Sequence, residues 1–265
     1  MSTGRKTLLI GCGNMGRALL DGWLAGGVLA PGEVTVLDPL VKAPEGVAVV
    51  REPPAGAFDL IVLAIKPQQF ATLAPVLGSI ANGALVLSIM AGIDCARLSA
   101  QLPGARAARI MANLAAAFGL SPVALHAPPG VLTADDRALL DRFGHALGPV
   151  EWLDDENLLH AVTALGGSGP GFIYRLLEAL AKGGAELGLA PQAAASMALV
   201  MVRGAAELAA RSGEDFATLA ARVASPGGTT QAGLAELERD GAVDTLIAAT
   251  LRAARDRSQE LGGGA

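Results

Sequence analysis

The stretch from Thr7 to Leu24 constrains the fold more than any other part of the chain. The apolar run Thr7–Ile10 leads directly into Gly11-Cys12-Gly13-Asn14-Met15-Gly16, and a helical pattern over Met15–Leu24 follows. A G-x-G-x-x-G spacing is weak alone, but between a strand and a helix it describes the phosphate-binding turn of a dinucleotide fold. Gly11 permits the tight turn, Gly13 lets the backbone approach a pyrophosphate, and Gly16 lets the helix press on the strand. The helix start offers free N–H groups and partial positive charge to phosphates. Gly11, Gly13, Asn14, Met15 and Gly16 are therefore candidate cofactor-binding residues.

Strand-like and helix-like segments alternate through the first half of the chain. Candidate strands are Thr7–Ile10, Val34–Leu37, Leu60–Ile65, Ala84–Ile89, Ala107–Met111, Val123–Leu125 and Val150–Leu153. Several are apolar at consecutive positions, as strands covered on both faces are. Helical patterns fall at Met15–Leu24, Gln68–Leu77, Cys95–Leu102 and Ala134–Leu147, the last opened by Thr133 with Asp136 three positions on, a capping signal. This alternation predicts a mostly parallel sheet with right-handed crossovers, an α/β Rossmann-type domain over residues 1–152.

Beyond Trp152 the pattern becomes helical throughout, over Glu156–Leu165, Phe172–Leu187, Gln192–Arg211, Phe216–Val223, Gln231–Arg239 and Val243–Leu261. Residues 153–265 are expected to form an all-α domain, with the tail from Gly262 to Ala265 frayed. The small residues Ala, Leu and Val supply most of the 52% hydrophobic content, against 3% aromatic, which suits close helix packing.

Asp38 closes the second candidate strand, where an acidic residue binds adenosine ribose hydroxyls and favours NADH over NADPH. Asp38-Pro39 equally fits a local turn. Ala64-Ile65-Lys66-Pro67 and Met90-Ala91-Gly92-Ile93 follow two other strands, where ligands of open α/β sheets collect. Lys66 fits either a phosphate or ribose contact or a solvated turn. In the helical half, Ser225-Pro226-Gly227-Gly228-Thr229-Thr230 precedes a helix. Such a loop makes a nest of backbone N–H groups for a carboxylate, or a plain inter-helix turn capped by one of its threonines. Thr163–Gly171 is a glycine-rich break, a hinge or a point of close backbone approach.

Several function classes are excluded. The net charge of −5 is spread thinly, with no basic run for nucleic acid or an anionic membrane. The N-terminal apolar stretch is broken by Gly11, Gly13, Asn14 and Arg17, and no uninterrupted apolar run reaches about 18 residues. A cytoplasmic protein is expected. Cys12 and Cys95 and the three histidines His126, His145 and His160 are scattered, so neither a disulfide framework nor a metal site is expected. The chain has no G-x-S-x-G or H-E-x-x-H, an absence that hydride chemistry carried by a cofactor explains.

Taken in order, G-C-G-N-M-G, A-I-K-P-Q at Ala64–Gln68, A-V-T-A-L-G-G-S-G-P at Ala161–Pro170 and S-P-G-G-T-T at Ser225–Thr230 resemble the pyrroline-5-carboxylate reductase family. The resemblance covers nearly the whole chain. It implies reduction of 1-pyrroline-5-carboxylate to L-proline by NADH or NADPH, the last step of proline synthesis, in a homodimer or larger ring of dimers built from the helical halves. It further implies that Ala64, Lys66 and Pro67, with Ala91 and Gly92, line the dinucleotide and that Asn113 stands beside the nicotinamide end. Ser225, Gly227, Gly228, Thr229 and Thr230 would hold the substrate carboxylate, with the Thr230 hydroxyl as the catalytic candidate near the ring nitrogen.

The chain departs from the family pattern in places. The usual M-P-N-T-P reads Met111-Ala112-Asn113-Leu114-Ala115, His160 stands where Asp is common, and Asp215-Phe216 replaces His-Pro. These departures keep two alternatives open: a reductase of another cyclic imine or a hydroxy acid, and a non-catalytic dinucleotide-binding paralogue.

Overall fold

The computed structural model describes residues 2–263, so the last two residues of the tail expected to fray lie outside the described residues. The chain divides into two compact units. One holds the chain up to Gly167 together with the segment from Ala254 onward, and the other holds Ser168–Ala253.

The first unit is built on one eight-stranded sheet. Its strands are β1 (Thr7–Ile10), β2 (Val34–Leu37), β3 (Ala48–Val50), β4 (Leu60–Leu63), β5 (Leu85–Ser88), β6 (Arg106–Met111), β7 (Val123–His126) and β8 (Val150–Trp152). They lie in the order β3-β2-β1-β4-β5-β6-β7-β8. Every neighbouring pair is parallel except β6 and β7, which run antiparallel. Seven of these strands coincide with the sequence-based candidates to within two residues at each end. The eighth, β3, went unpredicted: a three-residue edge strand with exposed positions carries almost no apolar signal.

Register explains the two-sided core. Leu9 pairs with Val36 and Val62, so these residues share one face, and Leu8 and Ile61 share the other. Helices α1 (Asn14–Ala25) and α4 (Ala134–His145) cover the first face with Leu19, Leu20, Trp23, Leu140 and Phe143. Helices α2 (Pro67–Ala81) and α3 (Cys95–Gln101) cover the second with Phe70, Leu77 and Leu98. Each such fully buried side chain contributes about 1.5–3 kcal/mol. Trp23 also donates its indole N–H to the Phe143 carbonyl at 3.0 Å, which pins α1 to α4. The predicted cap is present at the start of α4: the Thr133 hydroxyl accepts from the Asp136 N–H at 3.1 Å, and Asp136 accepts from the Thr133 N–H at 3.0 Å.

The strands end at Trp152, where the sequence changes character, yet the first unit continues to Gly167. Helix α5 (Leu158–Val162) and the π-helical turn Thr163–Gly167 belong to it because Leu159 buries itself against Met111 and Ala124. Gly166 approaches so closely that an added Cβ would lie 2.9 Å from Pro122 and 3.0 Å from Met111. Both neighbours are side chains, so at Gly166 the glycine-rich break is packed by side chains and not by another backbone.

The second unit contains α6 (Gly169–Glu186), α7 (Pro191–Ser212), α8 (Phe216–Val223) and α9 (Thr229–Leu237), with α10 (Ala242–Gly263) beginning in it. No strand occurs among its described residues. Helices α6 and α7 pack together around Gly184, Ala194 and Ala198. Leu176, Leu180, Met197, Val200, Met201 and Leu208 remain exposed on these two helices. Helix α7 is long and apolar enough to cross a membrane by length and composition, a feature that counting uninterrupted apolar runs passes over because Arg203 and Glu207 break it.

Candidate active site

The strand order reverses between β1 and β4, and ligands of open α/β sheets bind beyond the strand ends at such a point. A cavity of about 600 Å³ opens there, lined by Gly11, Gly13, Asp38, Arg51, Ala64 and Lys66 among others. The loop between β1 and α1 places each glycine for a separate reason. Gly11 has φ of +85°, and a Cβ on it would lie 2.6 Å from the Ala64 carbonyl oxygen. A Cβ on Gly16 would overlap the Gly11 carbonyl, so α1 can start only because that position is bare. A Cβ on Gly13 would meet nothing within 4 Å, and the exposed residue lines the cavity. Gly13 also occupies the N-cap of α1 without a side-chain bond, which leaves the first-turn N–H groups free for an anion. These features fit a dinucleotide pyrophosphate.

Asp38 sits at the end of β2 on the cavity wall, and its carboxylate is heavily engaged. One oxygen accepts the Cys12 N–H at 2.8 Å, and the other accepts from Leu40 at 2.9 Å and Val41 at 3.2 Å. Asp38 therefore ties the phosphate loop to the β2 turn, and it retains little acceptor capacity beyond those three bonds. Cys12 is buried in the same loop. Burial pushes its thiol up to about 11, with Arg17 opposing and Asp38 and Asp21 adding, so it is no thiolate at neutral pH. Lys66 stands exposed as the N-cap of α2, with its N–H bonded to Gln69 at 3.2 Å.

A smaller cavity of about 140 Å³ lies at the carboxyl ends of β5 and β6, lined by Met15, Met90, Ala91, Arg109, Met111, Ala112, Thr163 and Gly167. Asn113 adjoins it as a clamp. Its Oδ1 accepts the Ala115 N–H at 2.9 Å, and its Nδ2 donates to the Gly166 carbonyl at 2.8 Å. The side chain thus joins the end of β6 to the π-helical turn. Asn14 and Pro67 occupy the first turns of α1 and α2 and line neither cavity. Gly92 lines a third, polar cavity of about 490 Å³, with Arg109, Glu156, Asn157, His160 and Gln259. There the backbone of Leu261 comes close enough that Gly92 could carry no Cβ.

The Ser225–Thr230 loop lies in the second unit. Gly227 has φ of +71°, and its N–H donates to Gln231 Oε1 at 2.7 Å. Gly228 is the N-cap of α9, without a side-chain bond, so neither Thr229 nor Thr230 caps the helix. Of the two readings of this loop, the capped turn loses its premise, and the N–H groups at the start of α9 remain available.

Sequence reasoning missed the polar cavity. Arg109, buried on β6, pairs with Glu156 at 2.9 Å, and His160 Nδ1 meets the Ser258 hydroxyl at 2.9 Å. Burial holds His160 below its ordinary value, and the Arg109 guanidinium adds to this while Glu156 opposes it. The arginine in an otherwise apolar strand was the one available signal.

Comparison with known proteins bears on both units. Residues 156–261 match the family described as pyrroline-5-carboxylate reductase dimerisation, and residues 6–92 match that described as NADP oxidoreductase coenzyme F420-dependent. The chain is 38% identical to the pyrroline-5-carboxylate reductase of Synechocystis sp., covering 96% of this chain and 97% of that protein. It is 37% identical to the pyrroline-5-carboxylate reductase of Pseudomonas aeruginosa, covering 98% of each. The solved structure of a pyrroline-5-carboxylate reductase from Coxiella burnetii superimposes with a TM-score of 0.88 at 28% identity, over 98% of this chain and 99% of that one. Identity at this level, sustained from the glycine loop to the last helix, means that the chain belongs to the pyrroline-5-carboxylate reductase family.

Proposed function

We propose that the chain reduces 1-pyrroline-5-carboxylate to L-proline with NADPH or NADH, closing proline synthesis in the cytoplasm. The observation that carries this reading is the pairing of a bare phosphate loop at the sheet's switch point with an uncapped Ser-Pro-Gly-Gly-Thr-Thr loop, in a chain of this family. Reduced nicotinamide supplies the hydride. The protein supplies placement. The Gly11–Gly16 loop and the start of α1 hold the pyrophosphate, and Asp38 with Arg51 faces the adenosine end. Asn113 fixes the wall beside Met111 and Ala112, where the nicotinamide end belongs. The N–H groups of Gly227 and Gly228 are bonded within the loop to Gln231 and Ser225, so those of Thr229 and Thr230, at the start of α9, hold the substrate carboxylate. The Thr230 hydroxyl bonds the ring nitrogen and so orients the acceptor carbon.

The exposed apolar residues of α6 and α7 fall within the part matching the dimerisation family, which supports a homodimer or a ring of dimers over a membrane span. Both cysteines are free and buried, in keeping with a reducing compartment.

A second reading, a different cyclic imine as the preferred substrate, is favoured by the Met111–Ala115 segment, where Leu114 stands 55% exposed in place of the family's threonine. Oxidation of NADPH and NADH in the presence of pyrroline-5-carboxylate, with L-proline identified as product, tests the assignment. Dinucleotide binding without turnover on this substrate would refute it. Sedimentation of the active enzyme as a monomer would refute the dimer.

A further inference from the structure

We propose that Cys95, His126 and Glu156 form a binding site for a single zinc-class divalent ion, in the first unit and apart from the dinucleotide cavity. One donor atom from each of the three residues lies within 4.8 Å of the others. They come from the start of α3, the end of β7 and the residue region just before α5, so the fold assembles a cluster that no local spacing in the sequence announces.

The orientation of the side chains argues for coordination more strongly than their proximity. His126 is 4% exposed, and its Nδ1 lies 2.8 Å from the Leu153 carbonyl. A carbonyl only accepts, so Nδ1 carries the proton, and in the neutral ring Nε2 is the nitrogen that offers a lone pair. That Nε2 lies 3.9 Å from Oε2 of Glu156, beyond hydrogen-bond reach. Glu156 is fixed through its other oxygen: Oε1 accepts the Cys95 N–H at 2.9 Å and Arg109 Nη1 at 2.9 Å. Arg109 is itself held by the Met90 carbonyl, which Nη2 approaches at 3.3 Å. Both the imidazole and the carboxylate are thus anchored through one atom, and the Cys95 thiol, which burial pushes up to about 12 and which bonds the Glu156 carboxylate, gives up its proton when the ion binds. Outer partners orient the ligands of metal sites in this way.

The donor set of one thiolate, one imidazole and one carboxylate suits zinc or cobalt(II), and not calcium or magnesium. Zinc bond lengths of about 2.0–2.3 Å place tetrahedral donors roughly 3.3–3.8 Å apart, so closure about an ion takes movements of about 1 Å. Glu156 also lines the polar cavity with Asn157 and His160, so the cluster borders that cavity through this one ligand. The ion would join α3, β7 and the α5 approach. Activity with pyrroline-5-carboxylate plays no part in the argument, so the site and the proposed reaction stand or fall separately.

Titration of the metal-free enzyme with cobalt(II) tests the site, because a thiolate ligand adds a charge-transfer band in the near ultraviolet. One equivalent should develop the band, and zinc should displace it. Cys95→Ser should abolish it, and His126→Asn should weaken cobalt binding at least tenfold. Cys12→Ser should leave it intact, and since Cys12 and Cys95 are the only thiols the two variants assign the band. Circular dichroism checks that the variants fold. If His126→Asn does not fold, the chemical shift of cadmium-113 bound to the unaltered enzyme decides: a single-thiolate, mixed-donor value supports the site, and an all-oxygen value overturns it. No band at excess cobalt, or one that survives Cys95→Ser and vanishes in Cys12→Ser, also overturns it.

Discussion

Two glycine-to-alanine substitutions, two positions apart in the phosphate loop, should have opposite consequences. At Gly11 the backbone is at φ +85°, and a Cβ would meet the Ala64 carbonyl oxygen at 2.6 Å. A non-glycine residue in that conformation costs about 1–3 kcal/mol, and overpacking against a fixed backbone adds about 1–3 more. Gly11→Ala should therefore lose about 2–6 kcal/mol, a fall in Tm on the order of 10 °C for a chain of this size. Gly13 has an ordinary φ of −66° and nothing within 4 Å of its added Cβ. The modest cost of alanine at an N-cap and the reduced entropy of the unfolded chain, each roughly 0.5–1 kcal/mol, nearly cancel. Gly13→Ala should leave Tm almost unchanged. The same methyl projects into the cavity where the pyrophosphate belongs and breaks at least one charge-assisted bond of about 1.5–3 kcal/mol, so dinucleotide Kd should rise about tenfold to a hundredfold. Differential scanning calorimetry of the apo variants and fluorescence titration with NADPH measure both quantities. Equal loss of Tm in the two variants, or unchanged Kd in Gly13→Ala, would refute this reading of the loop.

Asp38→Ala should reduce NADH use more than NADPH use and also lower Tm, since three backbone N–H groups lose their acceptor; an unchanged cofactor ratio would confine Asp38 to its structural bonds. Thr230→Ala should lower kcat much more than it weakens NADPH binding, and parallel loss of both would remove Thr230 from the substrate site. The lowered pKa of His160 makes stability pH-dependent. Below about pH 6.5 the unfolded histidine takes up a proton that the folded one resists, so the unfolded state is favoured as pH falls. His160→Asn should flatten the decline in Tm below about pH 6.5, and an identical profile would show that His160 does not contribute to it.

How much of this was legible in the sequence depended on whether the signal was local. The strands β1, β4 and β5 announce themselves because both of their faces are buried and, Thr7 and Ser88 at two strand ends apart, their residues are apolar. The Thr133–Asp136 cap was readable because its partners are three residues apart. β3 was not, since an exposed edge strand has no apolar period to detect. The Ser225–Thr230 loop was recognisable as a motif but ambiguous in role, and that the N-cap of α9 falls to Gly228, with both threonine side chains outside the cap, could not be read from its residues.

The polar cavity illustrates the opposite limit. Arg109 was visible as a charge inside an apolar strand, but its partner Glu156 follows only after β7, α4 and β8, and His126 and Cys95 arrive on still other elements. Nothing in their spacing links them; the antiparallel turn from β6 to β7 does, by bringing Arg109 opposite His126 in register. That same reversal is the one departure from parallel order in the sheet. A strand pair that reverses direction therefore assembles a second group of polar side chains away from the switch point, with donors that only the three-dimensional register can bring together. Substitutions at Arg109 should accordingly disturb the Cys95–His126–Glu156 cluster before they disturb the phosphate loop, because its guanidinium hydrogen-bonds Glu156 and the Met90 carbonyl, whereas toward the loop it only shares a cavity wall with Met15.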